Sequence, residues 1–343
     1  MRPPETDGIR PTHVPRRSEI DLMSDDGGVF VNHAHVFPPS VNPDGTIDRL
    51  LRLMDCCGID SAVCFAPFPH NAACCDLNGN AWLADELARQ PRLHGFGTLD
   101  LRREDVAGQV KQIADLGFTG IKMHPNAQGF AILSPRAFEA YAAAQEQNLF
   151  VSFHTGVHRS RLKDSRVIDF DEIAWEFPNL RFSMEHVGGS HFFNEAMAVL
   201  FNHCHTPWAP GKCNVFAGLA SIFSTKTNPF WHIEPSKLRE LARQIGVKQL
   251  IFGLDFPYNQ EEETKLGLST IRSLGLSDAD VAMILGGNLR RELGLTACTG
   301  ETPVTRASRP CKVLSQSNYL EFSDLYCLGP TPVYRLLGRM IRL

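Results

Sequence analysis

The chain has 343 residues, of which 43% are hydrophobic and 21% charged, an ordinary balance for a folded barrel-sized domain or two smaller ones. A formal net charge of -4 and a pI near 6.4 give no electrostatic footprint for nucleic acid or an anionic membrane as partner. No apolar run approaches the ~20 residues needed to span a bilayer, and the N-terminus lacks the apolar segment of a secretory signal, so a cytoplasmic protein is expected.

Residues 1–27 are rich in Pro, Arg and Asp without an apolar period and read as a leader. Short apolar runs then follow at 28–32, 61–66, 93–99, 120–124, 150–154, 180–186, 214–220 and 249–255, each bounded by Gly, Pro, Asn or Asp, as strands are. Between them apolar residues recur at helical spacing. The first stripe is Ile47, Leu50, Leu51 and Met54, and the next are Trp82, Leu83 and Leu87, then Val106, Val110, Ile113 and Leu116. Further stripes run through Phe138 and Tyr141, through Ile168, Ile173 and Trp175, and through Phe193, Met197 and Leu200. Leu238, Leu241 and Ile245 make another, and Leu266, Ile271 and Leu274 the last. Thr46 and Ser134 stand where N-caps belong, and Ser277 with Asp280 opens a further helix. Residues 284–295 form a final helix behind a Gly286-Gly287 break.

Eight strands alternating with eight helices imply parallel pairing through right-handed crossovers. A closed (β/α)8 TIM barrel over 28–296 fits better than an open sheet, which would spread the polar strand ends along its edge. Residues 297–343 shift to Thr, Ser, Pro and Cys and read as a C-terminal extension, in which 333–343 has the pattern of a short basic amphipathic helix, expected to pack on the barrel or on a partner subunit rather than to anchor at a membrane. The ten cysteines include the adjacent pairs Cys56-Cys57 and Cys74-Cys75 and no Cys-x-x-Cys, so they read as reduced thiols. Any redox or metal role among them falls to Cys298, Cys311 and Cys327.

The chemistry sits at the ends of the strand runs. The first run ends in His33-Ala34-His35, later ones at Lys122 and His124, at His154, at His186 and at Asp255. Residues two apart on a strand face one way, so both first-run imidazoles point into the barrel mouth. A barrel gathers strand C-termini around one mouth, and a cation needs several imidazole and carboxylate ligands at one point. An ionised Asp after an apolar run is costly without a partner.

On His33-Ala-His35, Gly120-Ile-Lys-Met-His-Pro125, Phe153-His-Thr-Gly156, Glu185-His-Val-Gly-Gly189, Gly253-Leu-Asp-Phe-Pro257 and Ile284-Leu-Gly-Gly-Asn288, the chain resembles the amidohydrolase superfamily. It is most similar to the amidohydrolase-related branch that includes aminocarboxymuconate-semialdehyde decarboxylase and related hydrolases, over roughly 28–295. The resemblance implies a distorted TIM barrel with one or two divalent ions, usually Zn2+ with Mn2+ as the alternative, and a homodimer. It implies His33, His35, His154 and Asp255 as metal ligands, with Asp255 also taking the proton of the attacking water. His186 is then a catalytic base in a one-metal site or a ligand in a two-metal site, where a carbamate on Lys122 bridges the ions.

The leading expectation is hydrolysis of a small carbonyl substrate (an amide, a lactone or a related bond) by a metal-activated water. Non-oxidative decarboxylation of an aromatic or dienoic acid is the competing one, and a catalytically dead scaffold the third. Substrate contacts should come from the loops: His124, Arg159 and Trp231 are the leading candidates. Beside them stand Phe68, His70, His158, Arg161, Trp208, Lys212, Phe223, Lys226 and His232. Cations beside aromatic walls suit a small anionic or cyclic acid, with Arg159 on its carboxylate.

Overall fold

A computed structural model describes residues 28–72, 78–204 and 213–295. The leader, the tail from 297, and Cys74, Cys75, Trp208 and Lys212 lie outside the described residues. Among those described, eight parallel strands pair in chain order and the last closes on the first. They are β1 (Phe30–His35), β2 (Ser61–Phe65), β3 (Leu93–Thr98), β4 (Gly120–Met123), β5 (Phe150–His154), β6 (Phe182–Glu185), β7 (Val215–Leu219) and β8 (Leu250–Phe256). A principal helix follows each: α1 (Ile47–Cys57), α2 (Gly79–Leu87), α3 (Val106–Asp115), α4 (Pro135–Glu146), α5 (Phe170–Glu176), α6 (Gly189–Asn202), α7 (Pro235–Ile245) and α8 (Glu261–Arg272). The (β/α)8 barrel expected from the sequence is the fold found. No helix among the described residues is long and apolar enough to cross a membrane.

Local chemistry sets the boundaries. The Thr46 hydroxyl accepts the Arg49 N–H and opens α1, and Gly58 at φ 68° ends it in the left-handed region. Ser134 opens α4 in the same way, by accepting the Ala137 N–H. The stripe through 168–175 departs from expectation. α5 begins only at Phe170 and buries Phe170, Ile173 and Ala174, which leaves Ile168 in the preceding turn and Trp175 on the outer face, 64% exposed.

Strand parity divides the interior into two layers. Val31, Ala34, Ile121, Met123, Val151, Phe153, Phe182, Met184, Phe252 and Leu254 face outward into the core shared with the helices. Phe30, Val63, Phe65, Phe96, Phe150, Phe216 and Ile251 face inward and fill the barrel floor, with Leu289 from the short helix Asn288–Leu293 beneath them. Each such side chain contributes about 1.5–3 kcal/mol by leaving water. Above this dry floor the inward positions turn polar: Asn32, Lys122, Ser152, Ser183 and Glu185 are all fully buried.

Candidate active site

β1 delivers two histidines to the mouth through a bulge. Its pairing with β2 slips between Val31 and Ala34, and its pairing with β8 between Asn32 and Ala34, while His33 takes φ 69°. The bulge turns Asn32 and His33 inward in succession, and His35 follows two residues on. His33 Nε2 then lies 3.2 Å from His35 Nε2 and 3.2 Å from Asp255 Oδ1, and His35 Nε2 lies 3.7 Å from the same oxygen. Two nitrogens at ~2.1 Å from a tetrahedral ion are ~3.4 Å apart, so this spacing matches donors sharing one ion. Donor atoms of His33, His186 and Asp255 also lie within 4.8 Å of one another.

Hydrogen bonds set which ring nitrogens are free. His33 Nδ1 donates to Glu185 Oε2 at 3.0 Å, and His186 Nδ1 donates to the Ala220 carbonyl at 2.8 Å. A carboxylate and a carbonyl only accept, so both rings carry hydrogen on Nδ1 and keep an Nε2 lone pair. His124 is the opposite tautomer. Its Nδ1 accepts the Ala127 N–H at 3.2 Å, which leaves Nε2–H as a donor. Asp255 is oriented by Ser221, whose hydroxyl donates to Oδ2 at 2.5 Å and is itself held by Asn259 Nδ2 at 2.8 Å. Oδ1 is thereby left facing the histidines.

His154 stands beside this group. Its ring stacks on His124 at 3.8 Å between centroids and lies 4.8 Å from His186. Its Nε2 is buried and has no hydrogen-bond partner. An orphaned buried nitrogen costs about 1–3 kcal/mol, and an ion would remove that cost. The nitrogen and oxygen donor set suits zinc or manganese. Lys122 is fully buried, with Nζ 3.3 Å from His33 Nε2 and 5.0 Å from the Phe65 ring centroid. Among the described residues it makes no ion pair within 4.0 Å, and Glu185 and Asp255 act on it through space.

Burial dominates the electrostatics. It pushes the Asp255 carboxyl up to about 6, against the opposing pull of the Ser221 hydrogen bond and Lys122. It holds His186 down to about 4, assisted by Lys122, and Lys122 down to about 8. His33, His35, His124 and His154 are all pushed well below the usual imidazole range, first by burial and then by Lys122 and the neighbouring imidazoles. The site therefore holds neutral imidazoles at neutral pH, the form that binds metal.

The rim carries the substrate candidates. Trp231 stacks on His186 at 4.4 Å and 19°, fixed by Nε1 donating to the Val157 carbonyl at 3.2 Å. Arg159, Lys226, Phe230 and Trp231 line a cavity of about 710 Å3. Phe68 closes against His35 and stacks on His70, and His158 packs edge-on against His124. Phe223 packs against Phe252 outside the barrel, and His232 pairs with Glu234. Sequence reasoning missed the supports Asn32, Ser152, Ser183, Glu185 and Ser221, and Tyr258, which meets His35 edge-on at 5.8 Å. The signal for Ser183 and Glu185 was parity, since they alternate with the apolar Phe182 and Met184.

A family model described as amidohydrolase matches residues 43–295 and so begins after the His33/His35 pair. Among solved structures, the chain is similar to 5-carboxyvanillate decarboxylase from Sphingomonas paucimobilis, at 17% identity over 78% of this chain and 99% of that one, with a TM-score of 0.57. It is similar to a dihydroxybenzoic acid decarboxylase from Polaromonas, with bound manganese and the inhibitor 2-nitroresorcinol, at 17% identity over 78% and 97% and a TM-score of 0.56. A candidate 2-pyrone-4,6-dicarboxylic acid hydrolase from Pseudomonas putida gives 19% identity over 78% and 98%, with a TM-score of 0.58. At these identities the likeness is one of fold. No curated protein matches the sequence.

Proposed function

Because the chain belongs to the amidohydrolase family, we propose that it is a metal-dependent hydrolase of a small anionic or cyclic carbonyl compound. The residues that would hold the ion are His33, His35, Asp255 and, by its buried and unpartnered Nε2, His154. A zinc or manganese ion there supplies a Lewis acid for the carbonyl and an acidified water. Asp255 accepts the proton of the attacking water and returns it to the leaving group. The observation that carries this reading is the placement of the Asp255 carboxyl: pinned at Oδ2 by Ser221 and open at Oδ1 towards His33 and His35, it stands where the attacking water would give up its proton. His186, neutral and with a free Nε2, is the second acceptor.

His124 donates from Nε2–H to a substrate oxygen, Trp231 forms the wall, and Arg159 takes the carboxylate as a charge-assisted pair. The same rim favours one second reading. Aromatic walls beside a guanidinium fit an aromatic acid, from which the site would release carbon dioxide by delivering the proton to ring carbon. Incubation with lactones, amides and hydroxybenzoic acids separates the two: new acid from a lactone or amide supports the hydrolase, and carbon dioxide from an aromatic acid overturns it in favour of the lyase. Metal analysis of protein purified without chelator tests the centre. One equivalent supports the single ion, whereas two with a mass gain of one carbon dioxide at Lys122 support the bridged pair.

A further inference from the structure

The most heavily engaged side chain in the barrel is one that neither binding nor chemistry has claimed. Glu185 is fully buried at the C-terminal end of β6 and accepts hydrogen bonds from residues of three strands. Its Oε1 accepts from Asn32 Nδ2 at 2.8 Å, from the Ser152 hydroxyl at 3.0 Å and from the Ser183 hydroxyl. Its Oε2 accepts from His33 Nδ1 at 3.0 Å. A fourth strand makes the room. A Cβ at Gly218 on β7 would come within 2.2 Å of Oε2, so the glycine leaves the space the carboxylate fills. Such a cradle fixes both oxygens, not merely the charge.

We propose that Glu185 is the positioning residue of the centre, holding His33 as the Nδ1–H tautomer so that Nε2 offers its lone pair to the ion. The role rests on the metal reading above and extends it below the ligands. Three donors converge on Oε1, so that position can only be an acceptor. The fourth, on Oε2, is the imidazole whose opposite nitrogen lies 3.2 Å from both His35 Nε2 and Asp255 Oδ1. A carboxylate behind a metal-bound imidazole fixes its orientation and raises its basicity.

Glu185→Gln reverses the arrangement with little change of shape. With Asn32 Nδ2 and the two serine hydroxyls still donating, the amide oxygen stays with them, and the amide NH2 turns to His33 Nδ1 and makes it the acceptor. The hydrogen then moves to Nε2, where it blocks the ion. Two measurements on the full chain decide the matter. The first is 1H–15N NMR of metal-free protein labelled at histidine, with the His33 signal identified by its loss in His33→Ala. Wild type should show Nδ1–H and the Gln variant Nε2–H; wild-type His33 as Nε2–H overturns the proposal whether or not the variant folds. The second is zinc affinity by chelator competition, with folding checked by circular dichroism. A loss of about 10–100-fold in the folded variant supports the role. A wild type that binds no zinc sinks the centre and the role with it, whereas zinc bound equally tightly by wild type and the folded Gln variant sinks the role alone.

Discussion

Asp255→Asn should make the metal-free protein more stable at neutral pH while abolishing metal binding. The carboxyl has an ordinary value of 3.8 and is raised to about 6 in the fold, chiefly by burial. A raised carboxyl favours the folded state when protonated, so its contribution is fully present below about 3.8 and is lost as pH rises through about 6. By pH 7.5 the buried charge costs about 3 kcal/mol. The amide carries no charge to bury. Its oxygen still accepts from Ser221, and its NH2 faces the Nε2 lone pair of His33 at the 3.2 Å now spanned by Oδ1. At about 2 °C per kcal/mol for a domain this long, Tm should rise by about 6 °C. The assay is thermal unfolding with chelator present at about pH 7.5 and pH 4. Comparing variant with wild type at one pH cancels the opposite contribution of His186, whose depressed pKa of about 4 costs stability as pH falls from 6.5 through 4. Zinc at a hundredfold excess over Kd should stabilise wild type alone, by about 2.7 kcal/mol. A variant less stable than metal-free wild type at pH 7.5, or an advantage that persists at pH 4, refutes the reasoning.

Three further outcomes follow from the geometry. Zinc affinity by calorimetry should fall about tenfold per pH unit below about 6, as Asp255 takes up the proton that the metal must displace; a flat profile between about pH 5 and 7 removes Asp255 from the ligands. Arg159→Ala should raise KM for anionic substrates about 10–100-fold with kcat nearly unchanged, the size of a lost charge-assisted hydrogen bond, and a fall confined to kcat would place Arg159 elsewhere. Phe216→Ala, which opens the barrel floor, should cost about 3–5 kcal/mol by denaturant unfolding; a loss below about 1 kcal/mol means that floor is not close-packed.

The barrel was legible because parallel strands buried on both faces write themselves as short apolar runs. The ligand candidates stood out at the ends of those runs, where polar residues have no packing reason to be. What stayed hidden was support. Glu185 precedes a histidine and reads as part of its motif, while Asn32, Ser152 and Ser183 are small polar residues whose value lies wholly in what they meet across the barrel. Trp175 misled for the opposite reason. It stands seven residues from Ile168, two full turns on, but the helix begins between them, so the shared period joins no shared face.

Backbone strain gathers at the same place as the chemistry. Of the seven non-glycine residues with positive φ among those described, His33, His186, Val187, Ser221 and Asp255 lie at or just beyond strand ends around the mouth, and Arg159 lies on its rim. Asn148, in the turn before β5, is of a type that tolerates the left-handed region. Each of the others costs about 1–3 kcal/mol and persists only where its surroundings over-determine it. At His33 the reason is plain from parity. Phe30 faces the floor and Val31 the helices, so unbroken alternation would turn Asn32 inward and send His33 and His35 out among the helices. One left-handed residue shifts the phase and sets both rings above the Asn32–Glu185 support. A His-x-His pair at a strand end therefore does not state which side it faces. Counting from the inward phenylalanine shows that a bulge is required, and the bulge is what converts an outward pair into ligands.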